Sequence, residues 1–124
     1  MNITLWIIAA VLALVFLAAG SMKLTQPKAK LAASGQGWVE SVSPGAIKAI
    51  GAAEILGGLG LILPAFLNFT PVLVPLAATA LFLLLVGAAI THGRRNEIPN
   101  LVVNAVLGVL AVILAVTRFG PYSF

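Results

Sequence analysis

The stretch PGAIKAIGAAEILGGLGLILP, residues 44–64, decides the fold. It is apolar throughout except for Lys48 and Glu54, follows Ser43, and has proline at both ends. Serine before proline marks a helix start. The hydroxyl caps free backbone N–H groups, and proline fills the first helical position without forfeiting a hydrogen bond. The run approaches the roughly 20 residues that cross about 30 Å of hydrocarbon. Its glycines are not a phosphate loop, because Gly57-Gly58-Leu59-Gly60 lies inside the helix, where small residues let a neighbour approach.

Working outward, three more apolar runs appear: Ile3 to Gly20, Val72 to Ile90, and Leu101 to Val116, the last interrupted only by Asn104. In lipid every backbone polar group needs an internal partner, so these runs are read as helices. The expected fold is an all-α integral membrane four-helix bundle. It forms one domain over residues 1–124, with helices about 3–24, 44–63, 71–92 and 97–117 and a loop at 25–43. Thr70-Pro71 is expected to start the third helix, with Pro75 bending it slightly. Gly93 is expected to end the third helix, and Asn96 to cap the fourth. The first run resembles a signal peptide in hydrophobicity, but nothing positive precedes it, so it is expected to be a retained helix.

Composition agrees. Hydrophobic residues make up 61% of the 124 residues and charged residues 8%, with a mean hydropathy of +1.15. A water-facing surface needs about 25% charged residues. A soluble enzyme, a nucleic-acid-binding module and a disordered chain are therefore excluded. The chain has no cysteine, which excludes disulfides, iron–sulfur clusters and covalent c-type haem. One histidine, His92, cannot supply both axial ligands of a haem or most of a zinc site. No metal and no intrinsic cofactor is expected. A redox cofactor would sit on a partner or be lipid-soluble, as a quinone is.

Loop charges set the expected orientation. Lys23, Lys28, Lys30, Lys48, Arg94 and Arg95 fall on one side of the membrane, against Arg118 on the other. The positive-inside rule puts the first and third loops in the cytoplasm and both termini outside. Within the first loop, Pro27 to Ser34 reads as either a short surface helix stopped by Gly35 or an ordinary connector. Trp38 is expected to anchor it at the interface.

Polar residues inside the runs are the candidate site. Glu54 is the only acidic residue in a hydrophobic run, and an ionisable group there marks function by default. It lies about 9 Å deeper than Lys48, with Gly51 and Gly58 on its face. Lys23 ends the first helix and His92 the third. Asn100 and Asn104 open the fourth, with Gly108, Ala111 and Ala115 continuing their face. The bundle is thus expected to have a dry, tightly packed outer half and a polar cytoplasmic half. Two arrangements are open. Lys23 and Glu54 could form a salt bridge, with Asn104 and His92 satisfying leftover hydrogen bonds between helices in a closed structural network. Alternatively Glu54, His92 and Asn104 could wall a ligand pocket with Lys23 at its mouth. Arg94-Arg95 reads as an orientation signal.

Gly20-x-x-Lys23-Leu24, the stretch EILGGLGLILP from Glu54 to Pro64, and Gly87-Ala88 followed by His92 together resemble the DoxX-like family over nearly the whole chain. The glutamate–glycine–proline stretch is the most specific part. The resemblance implies a small bacterial four-helix protein of the inner membrane. It also implies association with quinone-linked thiosulfate oxidation or with membrane assemblies that resist oxidative stress. The polar positions it implies are Lys23, Glu54 and His92; Asn104 joins them on geometry alone. The expected function is a component of such an assembly that holds a small lipophilic, quinone-like ligand or a lipid. Expected partners are the bilayer and other membrane subunits or further copies of the chain. The alternatives are a non-catalytic accessory subunit and a small proton-coupled transporter. The sequence carries no catalytic motif.

Overall fold

The computed structural model describes residues 2–33, 43–68, 70 and 72–120. Its helices are α1 (Asn2–Thr25), α2 (Lys28–Ala33), α3 (Pro44–Phe66), α4 (Leu73–Arg94) and α5 (Ile98–Phe119). There is no strand among the described residues. All but α2 are long and apolar enough to cross a membrane. Successive long helices pack side by side, α1 on α3, α3 on α4 and α4 on α5, and a lighter contact between α5 and α1 closes the ring. Each neighbouring pair is antiparallel. Gly20 meets Gly51 while Ala13 meets Gly58, and Gly57 meets Leu81 while Gly60 meets Ala77.

Helix starts follow local chemistry. Ser43 Oγ accepts the N–H of Ala46 at 3.2 Å, and Pro44 opens α3 as its sequence requires. Thr70-Pro71 does not start α4 in the same way. Thr70 has a left-handed backbone (φ 43°) and its carbonyl accepts the N–H of Leu73 at 3.0 Å, so α4 begins after Val72. An N-cap needs extended backbone, which excludes Thr70 from that role. With this start Pro75 stands in the first turn, where its missing N–H costs no helical bond and no bend is needed.

The α4–α5 turn also departs from expectation. Asn96 (φ 54°) ends α4 instead of capping α5. Its N–H donates to Gly93 O at 3.2 Å and that of Glu97 to His92 O at 2.9 Å. This is a Schellman motif, and asparagine tolerates the left-handed position it requires. Gly93 stays within α4, and Glu97 takes the N-cap position of α5.

The apolar core gathers Leu5, Leu12, Phe16, Leu61, Leu81 and Leu114 in the half away from the α4–α5 turn. That half is not dry. Arg118 is only 4% exposed and ends the buried stripe Gly108, Ala111, Leu114 on α5. Its spacing on that stripe was the available signal for burial; in sequence it counted only toward the charge bias across the membrane. Ala115, expected on the inner face, is only partly buried. In α2, Leu31 is fully buried and Lys30 exposed, which gives the short surface helix. Gly35 and Trp38 lie outside the described residues.

Candidate functional site

The closest approach of two backbones explains where the site sits. A Cβ added to Gly20 would stand 2.6 Å from Gly51 O, and one added to Gly51 would stand 2.9 Å from Gly20 O. Main chain touches main chain there, as small residues permit in membrane helices. Lys23 of α1 stands beside Gly51 and Glu54 of α3 beside Gly20, so the two side chains flank this crossing and close over it. Lys23 Nζ lies 2.8 Å from Glu54 Oε1, and both side chains are 9% exposed. The contact is an ion pair by distance. Breaking such a pair leaves one buried charge without compensation, which costs about 3–5 kcal/mol.

The other two expected site residues are bound elsewhere. His92 Nδ1 lies 2.8 Å from Glu97 Oε1 across the α4–α5 turn, and Arg95 Nε lies 3.5 Å from Glu97 Oε2. A carboxylate only accepts, so Nδ1 carries the proton and donates. The hydrogen bond from His92 holds the Glu97 carboxyl below the usual glutamate range, with Arg95 adding charge and desolvation opposing. Asn104 Nδ2 donates to the main-chain carbonyl of Leu85 at 2.5 Å, joining α5 to α4.

The four residues therefore do not wall one cavity. Lys23 and Glu54 close on each other in the α1–α3 seam, while His92 and Asn104 belong to the α4–α5 hairpin. The expected shared pocket is corrected on that ground. Of the closed arrangement, the Lys23–Glu54 salt bridge is present and Asn104 and His92 do make hydrogen bonds between elements, but in a separate seam. Sequence reasoning also missed Glu97. It follows His92 by five residues across an asparagine that can turn the chain, and that spacing was the available signal.

A cleft of about 580 Å³ does open between α4 and α5. Phe82, Leu85, Val86 and Ala89 line one wall, and Leu101, Asn104, Gly108 and Val109 are among those lining the other. Among the described residues Asn104 is the sole polar side chain lining it and the only one of the four expected site residues present. Gly108 leaves room in it, for an added Cβ would meet nothing nearer than the Phe82 ring at 3.9 Å. A second cleft of about 330 Å³ lies at the lysine-rich end, between Thr25, Gln26 and Pro27 on one side and Pro44, Ile47 and Lys48 on the other. It contains none of the four. No cluster of three or more metal-ligating side chains occurs among the described residues.

Comparison with known families returns one described as the DoxX-like family, matching residues 7–114. No curated protein and no solved structure matches the chain.

Proposed function

This chain belongs to the DoxX-like family, and we propose that it serves as a component of a membrane redox or oxidative-stress assembly that holds a quinone-like lipophilic molecule between α4 and α5. One observation carries the reading: a cleft apolar enough for such a ligand has a single polar lining side chain, Asn104, fixed in place by its bond to Leu85. Ligand sites are mostly apolar with a few placed polar groups, and this cleft has that character. Asn104 keeps one amide proton and its Oδ1 without a partner among the described residues. A quinone bound there would supply two-electron redox chemistry. The chain itself would bind and orient it, with electrons arriving from other subunits.

In this reading the protein lies in a bacterial inner membrane, with the lysine-rich end in the cytoplasm and both termini outside. The Lys23–Glu54 pair is then a structural fastening of α1 to α3.

Native mass spectrometry of the protein extracted into lipid nanodiscs tests the reading. A bound isoprenoid quinone should appear in the wild type and be lost in Gly108→Leu, which fills the cleft. A stoichiometric large protein partner with no small molecule would favour the accessory-subunit alternative and count against the ligand.

A further inference from the structure

We infer that the cleft where α1 ends and α3 begins holds the phosphate of one anionic phospholipid headgroup. This site is separate from the α4–α5 cleft, and the inference does not rest on the reading of that cleft.

The cleft lies at headgroup depth. The spans Ile3–Thr25 and Pro44–Phe66 have 23 residues each, or about 34 Å of helix. That is slightly longer than the ~30 Å of hydrocarbon, so the ends of both stand among lipid headgroups. There Thr25, Gln26 and Pro27 face Pro44, Ile47 and Lys48 across a cavity of about 330 Å³.

Its donors are preset. Lys48 Nζ donates to the main-chain carbonyl of Leu24 at 3.0 Å. That carbonyl stands in the last turn of α1, where helical partners run out. The bond draws the ammonium from α3 across to α1 and leaves two N–H groups for a ligand. Half-buried Gln26 adds a side-chain amide with no partner among the described residues. Thr25 adds no donor, its hydroxyl being given to Ser21 O at 2.7 Å. The surroundings are basic. Helix α2 follows directly on Pro27, and its buried Leu31 seats it on the bundle with Lys30 exposed. The acidic side chains among the described residues are engaged, Glu54 by Lys23 and Glu97 by His92 and Arg95. Neither lines the cleft. An ammonium and an amide in a basic basin call for an anion rich in acceptor oxygens, as phosphate is.

The apolar surface below the cleft makes the source a lipid. Ala52, Ile55 and Leu59 continue the face of Lys48 along α3, at i+4, i+7 and i+11. Ala52 and Leu59 are exposed and Ile55 is half-buried. An acyl chain lies along this strip while its phosphate sits in the cleft; a free phosphate would leave the strip unused. Basic pockets between membrane helices select anionic headgroups, at about fivefold per basic side chain.

The test titrates the full chain in detergent with equal amounts of phosphatidylglycerol and phosphatidylcholine bearing the same acyl chains. Native mass spectrometry counts each bound lipid. One phosphatidylglycerol per chain should be retained, and Lys48→Gln should lower the preference for it about fivefold. Lys48→Arg should keep most of that preference. Gln26→Leu, which leaves the Lys48 charge in place, should reduce it by a smaller factor. Arg94→Gln removes one positive charge from the same end of the bundle but away from the cleft, and should change little. Equal losses in Lys48→Gln and Arg94→Gln would show a diffuse attraction and overturn the site. Equal retention of both lipids by the wild type overturns it too. Displacement by excess inorganic phosphate or sn-glycerol 3-phosphate would show that the anion alone is held and overturn the lipid assignment. Gly108→Leu should leave phosphatidylglycerol bound, whatever becomes of the α4–α5 reading; its loss there would move the lipid to the other cleft and overturn this one.

Discussion

Lys23 and Glu54 meet at 2.8 Å in the α1–α3 seam, across the point where Gly20 and Gly51 bring the two backbones into contact. Each feature needs the other. The glycine crossing shortens the distance that the two side chains must span, and the ion pair fixes which turn of α3 faces which turn of α1. A buried pair of this kind is a weak source of net stability but a strong penalty when half of it is lost.

Loss of one partner should therefore be costly and graded. Glu54→Leu should destabilise by about 3–5 kcal/mol, because Lys23 is left buried without its counter-charge. Glu54→Gln should be milder, since an amide still accepts a hydrogen bond. The double change Lys23→Met with Glu54→Leu should recover most of the loss. Detergent melting curves of the four proteins decide this; a Glu54→Leu protein as stable as the wild type would remove the pair from the account.

The glycines separate by what surrounds them. Gly20→Ala and Gly51→Ala force a methyl against main chain and should each cost about 1–3 kcal/mol. Gly87 has nothing within 4 Å of an added Cβ. Gly87→Ala should be neutral or gain up to about 1 kcal/mol from helix propensity. Equal effects at Gly20 and Gly87 in the same melting assay would contradict the close crossing.

How much of this was legible in advance depends on the kind of signal. Hydrophobic runs bounded by proline and serine located four spans, because length and polarity alone constrain a chain in lipid. Ser43-Pro44 also read correctly, its cap being a purely local bond. Thr70 and Asn96 did not. Both adopt left-handed backbone, and the competing turn, not the residue type, chose their role. The candidate site was half legible. Glu54 and Lys23 stood out as charges in apolar surroundings, and their closure was one of two arrangements left open. Which polar residues share a seam depends on helix rotation, and that is set by contacts distant in sequence. His92 and Asn104 therefore fell to the α4–α5 hairpin, and Arg118 went unread.

Acid should loosen the α4–α5 turn. The Glu97 carboxyl sits below its ordinary range in the folded protein, chiefly through the bond from His92. Its contribution to stability is therefore fully present above the unfolded glutamate range, near pH 4.3, and is lost as pH falls through the lower folded value. Glu97→Gln should flatten that part of the pH–stability curve. Thermal melts between neutral pH and strong acid measure it, and identical wild-type and variant curves would contradict the assignment.

Orientation follows from the charge bias of six basic side chains against one. Both termini should lie outside the cytoplasm. A C-terminal reporter active only in the cytoplasm should stay silent, and an active one would invert the proposed topology.

The central claim, a ring ligand between α4 and α5, is tested most directly by photolabelling. A decyl-para-benzoquinone carrying a photoreactive group on its ring is irradiated with the protein in nanodiscs, and the labelled residues are mapped by peptide mass spectrometry. Labels should concentrate on the residues lining the α4–α5 cleft and disappear under excess unlabelled quinone. Labels spread evenly over lipid-facing positions such as Ile7 and Leu56, and indifferent to competitor, would contradict it.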